Sequence, residues 1–292
     1  MNKLKRLAVL ACLCASAGLA SAQPAQVQDG IEVKPLPAYR TLASEEQLDQ
    51  QAQLQYASML AKARQKGALA GDDDAQLIRL RAIARRIMPY ASRWNPAAAQ
   101  WRWQVNLIGS PEVNAFCMPG GRIGVFSGIL STLKLTDDEA AAIMGHEIAH
   151  ALREHGRERM VQSTGVSMVS RIVGAGLAAW LGIDPGITGA LADGVSQLAV
   201  LKFSRDDERE ADLIGLDLAA RAGFDPRAGV ALWQKMAALN KRTPVALLST
   251  HPGGSERIGI MNEHMNVLLP LYARSKGTTP DKLPAYRGAQ VR

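Results

Sequence analysis

With 292 residues, 47% of them hydrophobic, and a formal charge of +7, the chain is long enough to build one large core. Three cysteines are too few for a disulfide framework, and no basic run carries interleaved aromatics, which argues against nucleic acid as a partner. The mildly basic balance suits a protein that works near anionic lipid or polymer surfaces.

Residues 1–22 read as a secretory signal: Lys3, Lys5 and Arg6, an apolar run from Leu7 to Leu19, then Ala20-Ser21-Ala22 as a small-residue cleavage site. The run is too short to span a bilayer comfortably. A lipoprotein box at Val9-Leu10-Ala11-Cys12 would leave only a stub of apolar sequence after Arg6. The expected location is therefore the periplasm. Removal of these 22 residues, with three basic and no acidic side chains among them, leaves 270 residues, a charge of +4 and Cys117 as the one cysteine. That cysteine is expected to be a small buried hydrophobe. Residues 23–43, with Pro24, Pro35 and Pro37, are expected to form an extended arm.

The domain proper is expected over 44–275. Ser44 and Gln47 form a capping box that starts a helix running to about Gln65. After Gly71, the spacing of Leu77, Leu80, Ile83 and Ile87 predicts a second helix. Trp101, Trp103, Val105 and Leu107 alternate as in a strand. Two more extended segments, near 112–117 and 122–126, flank the Pro119-Gly120-Gly121 turn. The fold class that follows is mainly α with a small β-sheet, an α+β domain whose sheet packs on helices. An exposed strand edge, around Val113 to Cys117 or Ile123 to Phe126, is expected to accept an extended peptide through main-chain hydrogen bonds.

Next comes His146-Glu147-Ile148-Ala149-His150. Two histidines four apart project from one face of a helix and can ligate one ion, and Glu147 is then placed to handle the proton of a water molecule. Thr136 and Glu139 form a capping box that starts a helix where the motif needs one. Neutral imidazoles suit Zn²⁺, and three protein ligands leave a coordination position open for water. The metzincin pattern is excluded, because it needs Gly and His where Arg153 and Gly156 stand. His155 is out of phase with the pair and is expected to act on the helix dipole rather than as a ligand.

The third ligand is expected on a second amphipathic helix that opens at Ser204 and ends near Gly223. Glu208 shares a face with Ala211, Asp212, Gly215 and Ala219, all short enough to press against the Ala-rich first helix. Glu210 shares its face with Ile214, Asp217 and Arg221, a helix edge. Glu208 is therefore the expected ligand, and Asp212 the acceptor that fixes the tautomer of a ligating histidine. The competing account of this segment is an acidic first turn paired with Arg205 and Arg209.

Between Met160 and Val200 the chain is rich in Gly, Ala and Val, and helical segments covering a cleft are expected there. A membrane-touching hairpin is the alternative, opposed by Arg171, which is costly in lipid. Asp225-Pro226 caps a helix to about Asn240. His251 precedes Pro252-Gly253-Gly254, a loop from which it can serve as a fourth ligand or stabilise an oxyanion. His264, on the next helix, is expected at the surface, and residues 276–292 as a loose tail.

Asn114-Ala115-Phe116 with Pro119-Gly120-Gly121, then the HExxH string, Ser204-Arg205 with Glu208-x-x-Ala211-Asp212, and Thr250-His251-Pro252 together resemble the gluzincin endopeptidases of the HtpX and CAAX prenyl protease type. Within these the chain is most similar to the soluble periplasmic branch that contains BepA and LoiP. The resemblance covers about residues 101–265 and implies a zincin-like metalloprotease domain holding one Zn²⁺ through His146, His150 and Glu208, with Glu147 as general base and His251 at the active site. It also implies unfolded or misfolded envelope polypeptides as substrates. The competing class is a non-catalytic periplasmic chaperone or outer-membrane assembly factor that keeps zinc for structure alone.

Overall fold

The computed structural model describes residues 29–36, 38, 42–164, 203–242 and 244–288. The expected signal segment and most of the Gly- and Ala-rich stretch after Met160 lie outside the described residues.

Helix α1 (Glu45–Gln65) starts where Ser44 accepts from the Gln47 amide, and α2 (Ala75–Ile87) starts where the Asp74 carboxylate takes the amides of Gln76 and Leu77. Strands β1 (Gln104–Ile108), β2 (Ala115–Met118) and β3 (Arg122–Phe126) form one sheet in the order β1-β3-β2, with β1 parallel and β2 antiparallel to β3. The first strand begins later than the alternation suggests. The Trp101 amide still bonds Ala98 O to close a 3₁₀ turn, and ladder pairing starts only with Gln104 on Gly121 O.

Strands β2 and β3 are buried along their whole length, whereas β1 alternates, with Gln104 exposed and Asn106 half-buried. Ile108, Phe116, Met118 and Phe126 face Leu48, Ala52, Tyr56 and Met59 of α1. Val105, Leu107, Ala115, Cys117, Ile123 and Val125 join the main core with α2 and the helix that carries His146 and His150. Gly124 in β3 lies under the Phe116 ring, and a Cβ there would meet that ring at 2.2 Å.

A short helix α3 (Ser127–Leu133) leads to α4 (Asp137–Leu152), whose Thr136–Glu139 capping box is complete. Helix α5 (His155–Thr164) follows after Glu154, at φ 53°, turns the chain. Beyond the undescribed stretch come α6 (Arg205–Arg221), α7 (Arg227–Asn240), α8 (Ala246–Thr250), α9 (Ser255–Glu263) and α10 (Met265–Ser275). Among the described residues no helix is long and apolar enough to cross a membrane.

Both ends of the described chain are tied to this framework. Ile31 is buried, and its amide donates to Asp217 Oδ2 at 2.9 Å in α6. Of the tail expected over 276–292, residues 276–288 are described; none of them is buried, and the segment passes the start of α4. Arg227 donates to Pro284 O at 2.7 Å, and the Tyr286 hydroxyl lies 3.4 Å from Thr136 Oγ1.

Candidate metal centre

Helices α4 and α6 meet backbone to backbone. A Cβ on Gly145 would lie 2.5 Å from Gly215 O, and one on Gly215 would lie 2.6 Å from His146 N. No side chain longer than hydrogen fits between them, so the HExxH face and the Glu208–Asp212 face are held at the shortest approach two helices can make. Thirteen of the sixteen α4 residues, from Glu139 to Leu152, are buried, among them His146, Glu147 and His150.

The ring Nε2 atoms of His146 and His150 lie 3.2 Å apart. Glu208 Oε1 is 3.4 Å from His150 Nε2, and Glu208 Oε2 is 3.6 Å from His146 Nε2. His251, in the loop after α8, brings Nδ1 to 3.2 Å from His146 Nε2 and 2.9 Å from Glu208 Oε1. Donors held about 2.05 Å from one tetrahedral zinc ion sit roughly 3.4 Å from each other. The observed spacings therefore fit one ion among four buried donors, and these residues are the one such group among the described residues. The protonation states suit it as well. Burial drives His150 well below the usual imidazole range. Burial alone would raise Glu208, but His251 and the hydrogen bonds from His150 and His251 outweigh it and hold the carboxyl well below the ordinary value.

Glu147 points into the same space. Its Oε1 is buried with no hydrogen-bond partner among the described residues and lies 3.9 Å from His251 Nε2. Burial raises its pKa against the pull of His251 and His146. Such a carboxylate is a stronger base than an exposed one. Burial also works against a charged His251, yet Glu208 and Glu147 prevail and raise its pKa.

Asp212 Oδ1 stands 3.0 Å from His146 Nδ1, the acceptor position expected for it. What sequence reasoning missed is Arg257 on α9. It donates to both Asp212 oxygens at 2.6 Å, pairs with Glu208 Oε2 at 2.6 Å and lies 3.6 Å over the Trp233 ring. A signal existed: Arg257 shares an otherwise apolar helix face with Met261, and a charge on a buried face needs a partner. Phe203 was also missed, its ring centroid 4.0 Å from that of His150. His155 is corrected from a dipole partner to a direct neighbour of His150, because α4 ends before it, and Glu210 from a helix edge to the partner of His155. His264 is half-buried at the end of α9, its Nδ1 2.8 Å from Ile260 O.

A cleft of about 680 Å³ opens onto this centre, lined by Glu147, His150 and Phe203, by Phe116 and Cys117 of β2, and by Leu48 of α1. Strand β2 is terminal in the sheet, whereas β3 is central. Ile123–Phe126 is thereby corrected as a candidate edge, since both its sides are already paired.

A helix bearing HExxH, joined by a glutamate from a second helix around one ion-sized space, defines a zinc metallopeptidase domain of the α+β, zincin-like class. Residues 77–264 match Peptidase family M48, and the chain belongs to that family. It is 36% identical over 155 residues to the mitochondrial metalloendopeptidase OMA1 of Arabidopsis thaliana, covering 53% of this chain and 30% of that protein. Against the OMA1 of Schizosaccharomyces pombe it is 36% identical over 165 residues, 56% of this chain and 46% of that one. The beta-barrel assembly-enhancing protease of Escherichia coli is 31% identical over 180 residues, 58% of this chain and 36% of that protein. The chain thus spans at most half the length of these curated relatives.

Proposed function

We propose that the chain is a zinc-dependent metalloendopeptidase that cleaves unfolded or misfolded cell-envelope polypeptides in the periplasm. The observation that carries the reading is the buried donor set of His146, His150, Glu208 and His251 beside the unpartnered carboxylate oxygen of Glu147. Family membership, the similarity to a protease named for β-barrel assembly, and the signal-like residues 1–22 support it. The OMA1 relatives are mitochondrial, so the envelope assignment rests on the signal-like segment.

In this reading His146, His150 and Glu208 hold the zinc, and Asp212 orients His146. The ion supplies Lewis acidity to the scissile carbonyl and the attacking water. Glu147 takes a proton from that water and delivers it to the leaving amine. His251, with its Nδ1 3.2 Å from His146 Nε2, would offer the ion a fourth donor. Strand β2 receives the substrate as an added strand. A peptide N-methylated at alternate amides should be cut at least about tenfold more slowly than its unmethylated counterpart; equal rates refute strand addition.

The second reading, a chaperone with structural zinc, is favoured by one observation: four protein donors is the pattern of a closed site. Metal analysis of the purified chain, paired with casein digestion with and without a chelator, separates the two. One zinc per chain, with digestion lost on chelation and restored by zinc, supports the protease. Bound zinc without digestion supports the chaperone.

A further inference from the structure

We propose that His155 and Glu210 are positioning residues that hold His150 in a single tautomer and ring orientation through the chain Glu210–His155–His150. The inference rests on the reading of His150 as a metal ligand. Helix α4 ends at Leu152, and the left-handed turn at Glu154 (φ 53°) starts α5 so that the His155 ring comes back under His150. His155 is 2% exposed. Its Nδ1 lies 3.0 Å from His150 Nδ1, and its Nε2 lies 2.7 Å from Glu210 Oε2.

These distances leave one arrangement of protons. Only one hydrogen can lie between two ring nitrogens in contact. His150 Nε2 faces the other donors, and as a ligand it must offer a lone pair, so Nδ1 carries the hydrogen and donates it. His155 Nδ1 therefore accepts. A neutral His155 then carries its hydrogen on Nε2 and donates it to the Glu210 carboxylate. Glu210 is itself fixed: Arg153 donates to its Oε1 at 3.0 Å and to Lys34 O at 2.5 Å. The two histidines of the motif are thus backed differently, His146 by the Asp212 carboxylate directly and His150 by a carboxylate acting through an interposed imidazole. Outer partners of this kind orient a ligand and raise its basicity.

The test measures zinc dissociation constants of the full chain by competition with a fluorescent chelator, with melting of the metal-free protein as a control on folding. His155→Ala should weaken zinc binding by about 10–100-fold. His155→Asn, whose side-chain carbonyl falls where the accepting nitrogen was, should stay within about threefold of wild type. Glu210→Gln should fall between the two, and together with His155→Asn it carries the test if His155→Ala does not fold. Wild-type zinc affinity in both His155→Ala and Glu210→Gln overturns the inference. So does an equal loss in His155→Ala and His155→Asn, which would make ring packing, rather than the accepting nitrogen, the feature that matters. A wild-type chain that binds no zinc overturns the metal reading itself, an outcome that none of the variants can imitate.

Discussion

Replacing Gly215 with alanine tests whether the α4–α6 contact sets the metal geometry. The added methyl would lie 2.6 Å from His146 N, 2.7 Å from Gly145 C and 2.9 Å from His146 Cα, all backbone atoms of a buried helix. Ordinary contact begins near 3.4 Å, so the helices must part by roughly 0.8 Å. Overpacking of this kind costs about 1–3 kcal/mol, and the better helix propensity of alanine returns about 1 kcal/mol. The net loss of about 0–2 kcal/mol should lower the melting temperature of the metal-free protein by no more than about 8 °C. The same parting carries Glu208 and Asp212 away from the histidines by more than the roughly 0.5 Å a functional site tolerates, so zinc affinity should fall at least about tenfold. Gly259, also inside a helix but with nothing within 4 Å of its Cβ position, is the control. Gly259→Ala should gain about 0.5–1 kcal/mol and leave zinc binding unchanged. Circular dichroism melting and chelator competition read both quantities. If Gly215→Ala behaves like Gly259→Ala, the argument from backbone contact is wrong.

Three further outcomes are expected. Arg257→Leu leaves the buried Glu208 and Asp212 carboxylates without their cation and should destabilise the metal-free protein by about 3–5 kcal/mol; denaturant unfolding that shows under 1 kcal/mol refutes the pairing. Glu147→Gln should cut turnover at least about 100-fold while one zinc stays bound. Because burial raises the folded-state pKa of Glu147, the proton it favours is retained at low pH and lost as pH rises through that value. The metal-free Gln variant should therefore melt above wild type at pH 8, with the gap closing near pH 4; a gap that widens toward acid contradicts the shift. His251→Ala should bind zinc more weakly and turn over substrate faster in the basal state, because a fourth donor competes with water; no change in either quantity removes His251 from the site.

The fold class was legible because its signals are local. Capping residues Thr136 and Ser204 mark where α4 and α6 begin, and the short side chains around Glu208 mark which face is pressed inward. Three of the four donors, His146, His150 and Glu208, follow from those faces, whereas His251 comes from a loop. The role of Arg257 does not, because it depends on a helix docking across the motif from elsewhere in the chain. His155 looked out of phase only while α4 was assumed to continue through it, and a single left-handed residue, Glu154, reverses that conclusion. Likewise, the alternation from Trp101 describes side chains correctly but says nothing of where pairing starts. The docked tail arises the same way: Pro284 and Tyr286 find Arg227 and Thr136, partners far away in sequence.

The slot lined by residues of α1 and α4, with Phe116 and Cys117 beside it, runs along a terminal strand of the sheet. A backbone added at a sheet margin lies about 4.8 Å from its neighbour and is held by main-chain hydrogen bonds. Under the proposed strand addition, the margin pairs only with main-chain groups that a partner leaves bare, so an incoming polypeptide would have to be unravelled to a single extended strand before it could seat there.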